Sequence, residues 1–206
     1  MNNTARFWDR IAQRYARRPV ADEDSYQQKL RLTREYLRPD MHVLEFGCGT
    51  GSTALVHAPH VARIRATDIS SNMIDIARAK AADAGIGNVD FECVALADLE
   101  AEPASFNVVL GLSILHLLPD WRDVIARVHG LLKPGGIFVT STACLNDGFG
   151  FMRPIAPLGR WLGLLPDLAF FGKDDLLGTM TSAGFEIKHE WLPGPRKAVF
   201  IIARRR

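Results

Sequence analysis

The chain has few of the features that direct proteins to oxidising compartments, metals or membranes. Its three cysteines, Cys48, Cys93 and Cys144, are widely spaced, odd in number and not paired as metal ligands. The six histidines form no metal-ligand spacing either, so no metal is expected. Residues 1–18 carry charges throughout and lack the apolar core of a secretion signal. These absences predict a protein of a reduced, cytoplasmic environment.

An excess of charge of one sign is also absent. Lys and Arg number 25 and Asp and Glu number 23, so the net charge is +2 and no nucleic-acid partner is expected. Apolar residues make up 48% of the chain and charged residues 23%, which is ordinary for a soluble globular protein. A length of 206 residues suffices for one domain with a substantial core.

The most informative segment is residues 43–51, Val-Leu-Glu-Phe-Gly-Cys-Gly-Thr-Gly. A short apolar strand ends in Glu45 and the glycines Gly47, Gly49 and Gly51 follow, where positive φ angles are allowed and a ligand can approach the backbone. A helix that begins at Ser52 would direct its N-terminal amides at the same ligand. Asp68 ends the next strand-like run, at a distance suited to ribose hydroxyls. This pattern predicts a nucleoside site.

The spacing of the glycines decides between two kinds of nucleoside. A dinucleotide fingerprint reads G-x-G-x-x-G, whereas here the third glycine comes one residue early and Ser52 takes the dinucleotide position. An acid at position 45 would repel a pyrophosphate but would suit an amine or a sulfonium. The motif therefore favours a cationic amino-acid nucleoside over NAD. The alternative, an NAD oxidoreductase, should bind NADH measurably.

The segment from Glu45 to Gly51 resembles the first motif of class I S-adenosylmethionine-dependent methyltransferases, in the branch of small single-domain enzymes that act on small molecules. Residues 106–120 resemble that branch's fourth strand and following turn, and residues 131–139 resemble its helix end and fifth strand. The resemblance covers residues 40–143 strongly and the remainder by element order. It implies S-adenosyl-L-methionine as methyl donor, S-adenosyl-L-homocysteine as product, and no metal.

The resemblance also implies a set of cofactor-binding residues in the first motif, after the second and third strands and at the end of the fourth: Glu45, Phe46, Gly47, Cys48, Gly49, Gly51, Asp68, Ile69, Met73, Asp98, Leu99 and Leu112. Glu45 is expected to anchor the cofactor's amino group and Asp68 the ribose hydroxyls. The position that usually supplies an acid to the adenine is Ala95, so that contact is carried over to Asp98 and Leu99. Asp98 could instead cap a turn.

Two residues are candidates for catalysis. His116 follows the fourth strand and could accept a proton from the methyl acceptor near neutral pH, or it could serve to orient the turn. Tyr15 lies on an apolar stripe of the first helix, which could simply pack on the sheet. By resemblance this helix folds over the cofactor, with Tyr15 near the sulfonium and Arg14, Arg18 or Tyr26 near the carboxylate.

The alternation of strand and helix patterns predicts an α/β fold with a doubly wound, Rossmann-like, seven-stranded and mainly parallel sheet, helices on both faces and an antiparallel C-terminal strand. The predicted strands are residues 41–46, 63–67, 89–94, 107–112, 137–142, 185–192 and 197–203. The last two are joined by so few residues that they must be antiparallel. The single domain 1–206 divides into a helical cap, a cofactor-binding core, a lid or insertion, and a C-terminal helix with a β-hairpin, at residues 1–39, 40–143, 144–172 and 173–206.

The segment 144–172 allows three interpretations. Its aromatic residues are interrupted by glycines and prolines, so it cannot span a bilayer as a helix. It could form short helices on the sheet edge, a lid over the acceptor site at the carboxyl ends of the strands, or an interfacial membrane contact that uses Arg153 and Arg160.

Together these features predict an S-adenosylmethionine-dependent methyltransferase that acts by in-line displacement on a small, partly apolar acceptor. The run Gly111–Leu115 stands where base-modifying enzymes carry an Asn/Asp-Pro-Pro-aromatic block, which disfavours methylation of nucleic acids. The alternatives are a lipid or quinone methyltransferase that docks on a membrane and a non-catalytic binder of the same cofactor. The protein is expected to be a monomer or homodimer.

Overall fold

A computed structural model describes residues 3–206 as a single seven-stranded sheet with helices on both faces. The strands are β1 His42–Phe46, β2 Arg63–Asp68, β3 Val89–Cys93, β4 Phe106–Leu112, β5 Leu132–Thr142, β6 Phe185–Trp191 and β7 Val199–Arg205. Their order is β3-β2-β1-β4-β5-β7-β6. The first five strands pair in parallel and β7 runs antiparallel to both β5 and β6, which confirms the predicted fold class.

Within residues 3–206, seven α-helices accompany the sheet: α1 Asn3–Ala16, α2 Glu23–Arg34, α3 Ser52–His57, α4 Ser71–Asp83, α5 Trp121–Leu131, α6 Ala156–Trp161 and α7 Lys173–Ser182. Ser70 caps α4 because its hydroxyl accepts a hydrogen bond from the amide of Met73 at 3.2 Å. Asp22 caps α2 in the same way, through the amide of Ser25. The first two residues of the predicted helical cap lie outside the described part.

The core consists of two layers, one on each face of the sheet. On one face Ile125 of α5 and Leu176 of α7 are fully buried, and on the other Ala54 of α3 and Ile74 of α4 are. Strands covered on both faces consist of nearly continuous apolar residues, as in Val108-Val109-Leu110 of β4. Burial on both faces therefore explains why these strands lack alternation.

Strand β5 begins five residues earlier than the sequence predicts. Leu132 pairs with Phe106, but the next β4 partner in register, Val108, pairs with Ile137, so the intervening residues bulge from the ladder. Gly135 in this bulge has a φ of +75°. Helix α5 ends at Leu131, so the Pro-Gly pair at 134–135 lies within the bulge.

The order of the strands places a crevice at the end of β1. The chain proceeds from β1 outward to β2 and β3 and then returns to place β4 on the other side of β1. Ligands of open α/β sheets bind at the carboxyl ends of strands at such a switch point. Helix α1 lies over this edge, because Asp9 Oδ1 accepts hydrogen bonds from Ser70 Oγ at 2.6 Å and from the amide of Asn72 at 3.1 Å.

The segment 144–172 consists of short pieces: single turns of 3₁₀ helix at Leu145–Asp147 and Gly150–Met152, followed by α6. Among residues 3–206 there is no helix with the length and hydropathy needed to cross a membrane.

Candidate functional site

The loop after β1 owes its shape to three glycines with positive φ angles: +64° at Gly47, +53° at Gly49 and +74° at Gly51. A Cβ at Gly47 would lie 2.6 Å from the side chain of Ile114, and one at Gly51 would lie 2.7 Å from the ring of Phe91. Gly49 differs, since the nearest described atom to its Cβ position is in Tyr15, 3.9 Å away. Gly47 and Gly51 are therefore needed for packing, and Gly49 faces an open cradle.

Asp68 at the end of β2 holds this loop in place. Its Oδ2 accepts a hydrogen bond from the amide of Gly49 at 2.8 Å, and its Oδ1 accepts one from the amide of Ser70 at 2.9 Å. Burial raises the pKa of this carboxyl. Each oxygen keeps a free lone pair, so the carboxylate can still accept hydrogen bonds from a ligand's hydroxyls.

Glu45 is a buried acid that forms no ion pair within residues 3–206. Its side chain lies within β1, 3% exposed, and its Oε2 has no hydrogen-bond partner among residues 3–206. Burial, together with the negative charge of Asp68, raises the pKa of Glu45 to about 8. An ionised carboxyl is costly to bury without a cation, and here Oε2 also lacks a donor, so this arrangement fits a site that a ligand's ammonium group completes.

An apolar chamber of about 130 Å³ opens on one side of the loop. Its walls come from α1, the ends of β1, β2 and β4, and the segments that follow β3 and β4: Thr4, Trp8, Tyr15, Phe46, Gly47, Gly49, Thr67, Asp68, Ile69, Met73, Val94, Ala95, Leu96, Leu112, Ser113, Ile114, Leu117 and Leu118. Apart from Asp68 it carries no charge, so its shape and chemistry suit a flat, weakly polar ring.

A charged chamber of about 560 Å³ lies on the other side. It shares Tyr15, Gly47, Gly49, Leu112 and Ser113 with the apolar chamber and is otherwise lined by Ala16, Arg18, Pro19, Val20, Ala21, Tyr26, Lys29, Leu30, Thr33, Glu45, Cys48, Thr50, Ser52, Thr53, Lys80 and Ser141. The two chambers therefore meet at the open cradle of Gly49, beneath the ring of Tyr15.

Lys29 of α2 brings a basic side chain to this chamber. Its Nζ donates a hydrogen bond to Ser141 Oγ at 2.8 Å, and burial lowers its pKa. It forms no ion pair with any carboxylate in the described part of the chain. Glu45 and Lys29 thus line the same chamber without being bonded to each other, and together they complement the ammonium and carboxylate groups of an α-amino acid.

Two residues at the junction of the chambers are shaped by their surroundings. Burial and the charge of Asp68 raise the pKa of Tyr15, whose ring also contacts Trp8 edge-on at 6.3 Å. Ser113 has a φ of +58°, and its amide donates a hydrogen bond to the carbonyl of Ser141 at 2.7 Å. A non-glycine residue in this conformation is strained, and such strain is concentrated at ligand sites.

The structure brings most of the predicted residues to these chambers. The apolar chamber contains Tyr15, Phe46, Gly47, Gly49, Asp68, Ile69, Met73 and Leu112, and the charged chamber contains Glu45 and Cys48. Burial raises the pKa of the Cys48 thiol well above its usual range, so it is not a nucleophile. Gly51 lies behind the loop, against Phe91 and Ala77.

Asp98 and Leu99 lie apart from both chambers. Asp98 is exposed at the end of a 3₁₀ turn, where its amide donates to the carbonyl of Ala95. Leu99 is buried in the core, and its carbonyl accepts a hydrogen bond from Arg127. The chamber wall is formed instead by Ala95 and by Leu96, so the structure does not support an adenine contact by Asp98 or Leu99.

His116 also lies outside the lining of both chambers. It is half-buried in a 3₁₀ turn after β4, and its carbonyl accepts a hydrogen bond from the amide of Ala169 at 2.8 Å. Its Nδ1 has no partner within residues 3–206, and burial lowers its pKa to about 4. This geometry supports the interpretation that His116 orients the turn. It gives no support to a role of His116 as a base.

The sequence did not indicate Lys29, Ser113 or Ser141. Lys29 is one of many basic residues, and only the packing of α2 against the end of β5 brings it to the site. Arg18 and Tyr26, two of the three residues expected near the cofactor's carboxylate, do line the charged chamber, whereas Arg14 does not.

A hollow of about 920 Å³ lies at the opposite edge of the sheet, but its arginines Arg63 and Arg65 already pair with Asp90 and Glu92. In the region that the structure describes, no group of three or more His, Cys, Asp or Glu could hold a metal ion.

Comparisons with known proteins agree with this geometry. Residues 43–136 match the family model of a methyltransferase domain. A ubiquinone biosynthesis O-methyltransferase from Idiomarina loihiensis is 34% identical over 105 residues, which are 50% of this chain and 43% of that protein. The chain thus spans about half the length of the curated relatives it matches.

Solved structures are similar in fold. The YcgJ protein from Bacillus subtilis has a TM-score of 0.73 at 18% identity, covering 87% of this chain and 99% of that one. An S-adenosylmethionine dependent methyltransferase from Mesorhizobium loti has a TM-score of 0.71 at 20% identity, covering 86% and 96%.

Proposed function

We propose that this chain, which belongs to the class I S-adenosylmethionine-dependent methyltransferase family, transfers a methyl group to a small, partly apolar acceptor. The observation that carries the proposal is the buried carboxylate of Glu45, with an unpaired Oε2 beside an open glycine cradle. That combination fits a ligand with an ammonium group next to a nucleoside.

The residues present fit S-adenosylmethionine in each of its parts. The apolar chamber suits the adenine, with Ile69, Met73, Ala95 and Leu96 as walls, and Asp68 suits the ribose hydroxyls. Glu45 would hold the amino group. The ammonium of Lys29, with Arg18 and Tyr26 nearby, would hold the carboxylate. When bound, the cofactor supplies a methyl group already activated by its sulfonium.

The chain's own part in the reaction is positioning and the exclusion of water. Helix α1 covers the junction of the chambers and places the Tyr15 ring there, where an aromatic face would stabilise a cation. The raised pKa of Tyr15 keeps its phenol protonated at neutral pH. Because His116 has a lowered pKa and lies outside the chambers, we assign it to the turn and not to proton transfer.

The acceptor would enter through the charged chamber. Its wall from Pro19 to Ala21, together with Leu30, is apolar, whereas Thr33 and Ser141 are polar. The relative from Idiomarina loihiensis is named for O-methylation in ubiquinone biosynthesis, which supports a hydroxylated ring as acceptor here. We further propose that the protein acts in the cytoplasm as a monomer or homodimer, with its three cysteines free.

The binding test is calorimetry with two ligands. S-adenosylhomocysteine carries the α-amino acid, whereas 5′-methylthioadenosine keeps the nucleoside and sulfur but lacks both charges. We expect Glu45→Gln and Lys29→Met each to weaken binding of S-adenosylhomocysteine by about tenfold or more, because each removes a charge-assisted hydrogen bond. Binding of methylthioadenosine should change little.

Lys80→Met is the matched control, since Lys80 also lines the charged chamber but its Nζ is bonded to the hydroxyls of Thr50 and Ser52. Its affinity for S-adenosylhomocysteine should stay close to that of the parent chain. Absence of heat with S-adenosylhomocysteine, or measurable binding of NADH in its place, would overturn the proposal.

Catalysis is tested separately with labelled S-adenosylmethionine and a panel of phenols, catechols, thiols and amines. Transfer of label to any of them supports the proposed activity. Tight cofactor binding without transfer to any acceptor would favour a non-catalytic binder.

A further inference from the structure

The reacting methyl group belongs where the two chambers meet. In S-adenosylmethionine the sulfur joins the nucleoside to the amino-acid chain. A nucleoside in the apolar chamber and an amino acid in the charged chamber therefore place the sulfur at their junction. The described residues that line both chambers are Tyr15, Gly47, Gly49, Leu112 and Ser113. An acceptor atom in line with the methyl group reaches this junction.

No described side chain that lines both chambers can take a proton from the acceptor at neutral pH. Tyr15 is the only titratable residue among them, and its raised pKa keeps the phenol protonated. His116 lies outside both chambers. The acceptor therefore meets a hydrogen-bond donor at the junction and not a base.

The titratable groups deeper in the chambers are engaged by the cofactor or hold their protons. An ammonium beside Glu45 and a carboxylate beside Lys29 favour the charged form of each side chain, which makes both poor bases. Asp68 accepts hydrogen bonds from two backbone amides and would take the ribose hydroxyls. Burial raises the pKa of Tyr26 and of the Cys48 thiol, so both stay neutral.

The charges that line the chambers favour an anion. Arg18, Lys29 and Lys80 line the charged chamber, and none of them forms an ion pair with an acid of residues 3–206. The cofactor adds an ammonium and a sulfonium but only one carboxylate. Even with Glu45 and Asp68 both ionised, the chambers and the cofactor together keep a positive surplus, which stabilises a negative acceptor.

The acids just outside the chambers do not cancel this surplus. Asp22, whose charge reaches Lys29, is paired with Lys197 at 3.1 Å. Glu23 is exposed to solvent, which screens its charge. Asp9 is held by hydrogen bonds at the start of α4.

Ser113 brings a free hydroxyl to the same junction. It follows β4 with a φ of +58°, and its amide donates a hydrogen bond to the carbonyl of Ser141 at 2.7 Å. Glycine would adopt this φ without strain, so what serine adds at this position is the hydroxyl. Its Oγ forms no hydrogen bond to another residue of the described chain, and it can donate to an anionic oxygen.

Given the proposed function, we propose that the acceptor binds as its anion and that its reacting oxygen accepts a hydrogen bond from the Ser113 hydroxyl. The acceptor is a phenol acidic enough to ionise near neutral pH, and its proton leaves to water. An oxygen lone pair forms the bond to the methyl carbon while the carbon–sulfur bond breaks and its electron pair stays on the sulfur. The products are a neutral ether and a neutral thioether, so no proton passes to the protein.

Absorption spectroscopy with 4-nitrophenol tests the binding of the anion, because its phenolate absorbs at a longer wavelength than the phenol. The protein is first saturated with S-adenosylhomocysteine, as verified by calorimetry, so a failure of the cofactor site is seen separately. We expect bound 4-nitrophenol to ionise at least about tenfold more strongly than free 4-nitrophenol. Its methyl ether, 4-nitroanisole, has no ionisable proton and should bind at least about tenfold more weakly.

Ser113→Gly removes the hydroxyl and keeps the left-handed backbone without strain. It should weaken both the binding and the ionisation of 4-nitrophenol severalfold and leave the affinity for S-adenosylhomocysteine unchanged. Ser52→Ala is the matched control, since Ser52 lines only the charged chamber and its Oγ is already bonded to Lys80. This variant should behave like the parent chain, and circular dichroism establishes that both variants are folded.

The pH dependence of methyl transfer tests the absence of a base in the protein. At saturating S-adenosylmethionine, kcat/KM for 4-nitrophenol and for the less acidic 4-cyanophenol should each rise with pH and level off at the pKa of that phenol. A rise that levels off at one shared pH would indicate a base in the protein and overturn the proposal. Absence of transfer to both phenols would overturn it too.

Three binding results would also overturn the proposal. They are unchanged or weaker ionisation of bound 4-nitrophenol, equal binding of 4-nitroanisole, and unchanged ionisation in Ser113→Gly. A chain that binds S-adenosylhomocysteine but not 4-nitrophenol would contradict the anionic acceptor and leave the cofactor site standing.

Discussion

At the scale of single residues, the three glycines after β1 have different physical roles. A side chain at Gly51 would collide with the ring of Phe91 and with the Cβ of Ala77, whereas one at Gly49 would extend into the cradle between the chambers. The G-x-G-x-G pattern predicts that glycine is needed at each position. It cannot tell packing from ligand contact, because that depends on the elements above the loop.

This difference predicts that one alanine substitution mainly lowers stability and that the other mainly lowers affinity for the cofactor. Gly51→Ala should lower the free energy of unfolding by about 2–4 kcal/mol, from overpacking and from its φ of +74°. Gly49→Ala should lower the free energy of unfolding by about 1 kcal/mol but weaken the binding of S-adenosylhomocysteine by tenfold or more. Chemical denaturation and calorimetry measure the two quantities.

Gly85→Ala is the control for backbone strain alone, since Gly85 has a φ of +65° and no atom of residues 3–206 within 4 Å of its Cβ position. It should match Gly49→Ala in stability and leave affinity unchanged. Equal affinities for the Gly49→Ala and Gly85→Ala variants would contradict a ligand contact at Gly49.

The raised pKa of Glu45 predicts that cofactor binding releases a proton. Its pKa of about 8 keeps most of the carboxyl protonated at pH 7 in the free protein. An ammonium group bound beside it favours the charged form and lowers that pKa, so close to one proton should leave on binding of S-adenosylhomocysteine. Calorimetry in buffers with different ionisation enthalpies measures the release, and Glu45→Gln should abolish it.

The same residue makes the free protein less stable as pH rises. A folded pKa above the unfolded value of 4.5 means that the folded state holds the proton more tightly between pH 4.5 and about 8. Stability should therefore fall across this window. Glu45→Gln should flatten the fall while weakening cofactor binding, a combination that a merely structural residue would not give.

His57 predicts a loss of stability in acid. Its side chain is 1% exposed, neither ring nitrogen has a partner in the described chain, and burial lowers its pKa from 6.5 to about 4. The unfolded chain binds the proton more tightly, so stability falls as pH drops from 6.5 to 4, by up to roughly 3 kcal/mol. His57→Leu should remove this contribution to the loss of stability in acid.

Denaturation at pH 7, 5.5 and 4.5 measures the effect. His116, whose pKa is also lowered to about 4, should retain a similar dependence in the His57→Leu variant. An unchanged slope in that variant would contradict the account.

At the scale of elements, helix α1 is held over the site mainly at its middle. The carboxylate of Asp9 accepts two hydrogen bonds from the start of α4, where a negative charge is also favoured by the helix dipole. The sequence predicts α1 from its apolar stripe, but it does not determine whether that stripe packs on the sheet or covers the cofactor. The structure shows that Tyr15 faces the chambers.

Loss of this attachment should loosen the cover of the cofactor site. Asp9→Ala should lower the free energy of unfolding by about 1–2 kcal/mol. It should also weaken the binding of S-adenosylhomocysteine severalfold, because Trp8 and Tyr15 lose their fixed position. Asp75→Ala on α4 is the control, since its ion pair with Arg78 is exposed and contributes little. Equal affinities in the two variants would argue against α1 as a cover.

Most elements were predictable because local sequence determines them. The apolar runs of β1 and β4 lie within one residue of their predicted places. The start of β5 was not, because residues 134–136 bulge from a ladder that forms only once β4 is beside it. The short turns of 144–172 likewise depend on tertiary contacts, such as the bond between Ala169 and His116.

At the scale of the whole molecule, the site is a product of topology more than of any motif. The sequence of the loop after β1 predicts a nucleoside site, and Glu45 and Asp68 lie on β1 and at the end of β2 as the pattern predicts. Lys29 and Ser141 are 112 residues apart and meet only because α2 lies against the end of β5. Residues brought together at such range leave no local pattern, so the sequence named Arg14, Arg18 or Tyr26 for the cofactor's carboxylate and did not name Lys29.

Helix α1 also joins the cofactor site to the segment that follows β5. Thr4 donates a hydrogen bond to Asp167 and Arg10 to the carbonyl of Gly163, so the helix that covers the nucleoside is attached to the residues after α6. If a contact stiffens that segment, it also slows the departure of the spent nucleoside, and by thermodynamic reciprocity a loaded chain holds the segment more firmly than an empty one. Product exchange and the order of this segment would then be two readings of a single equilibrium.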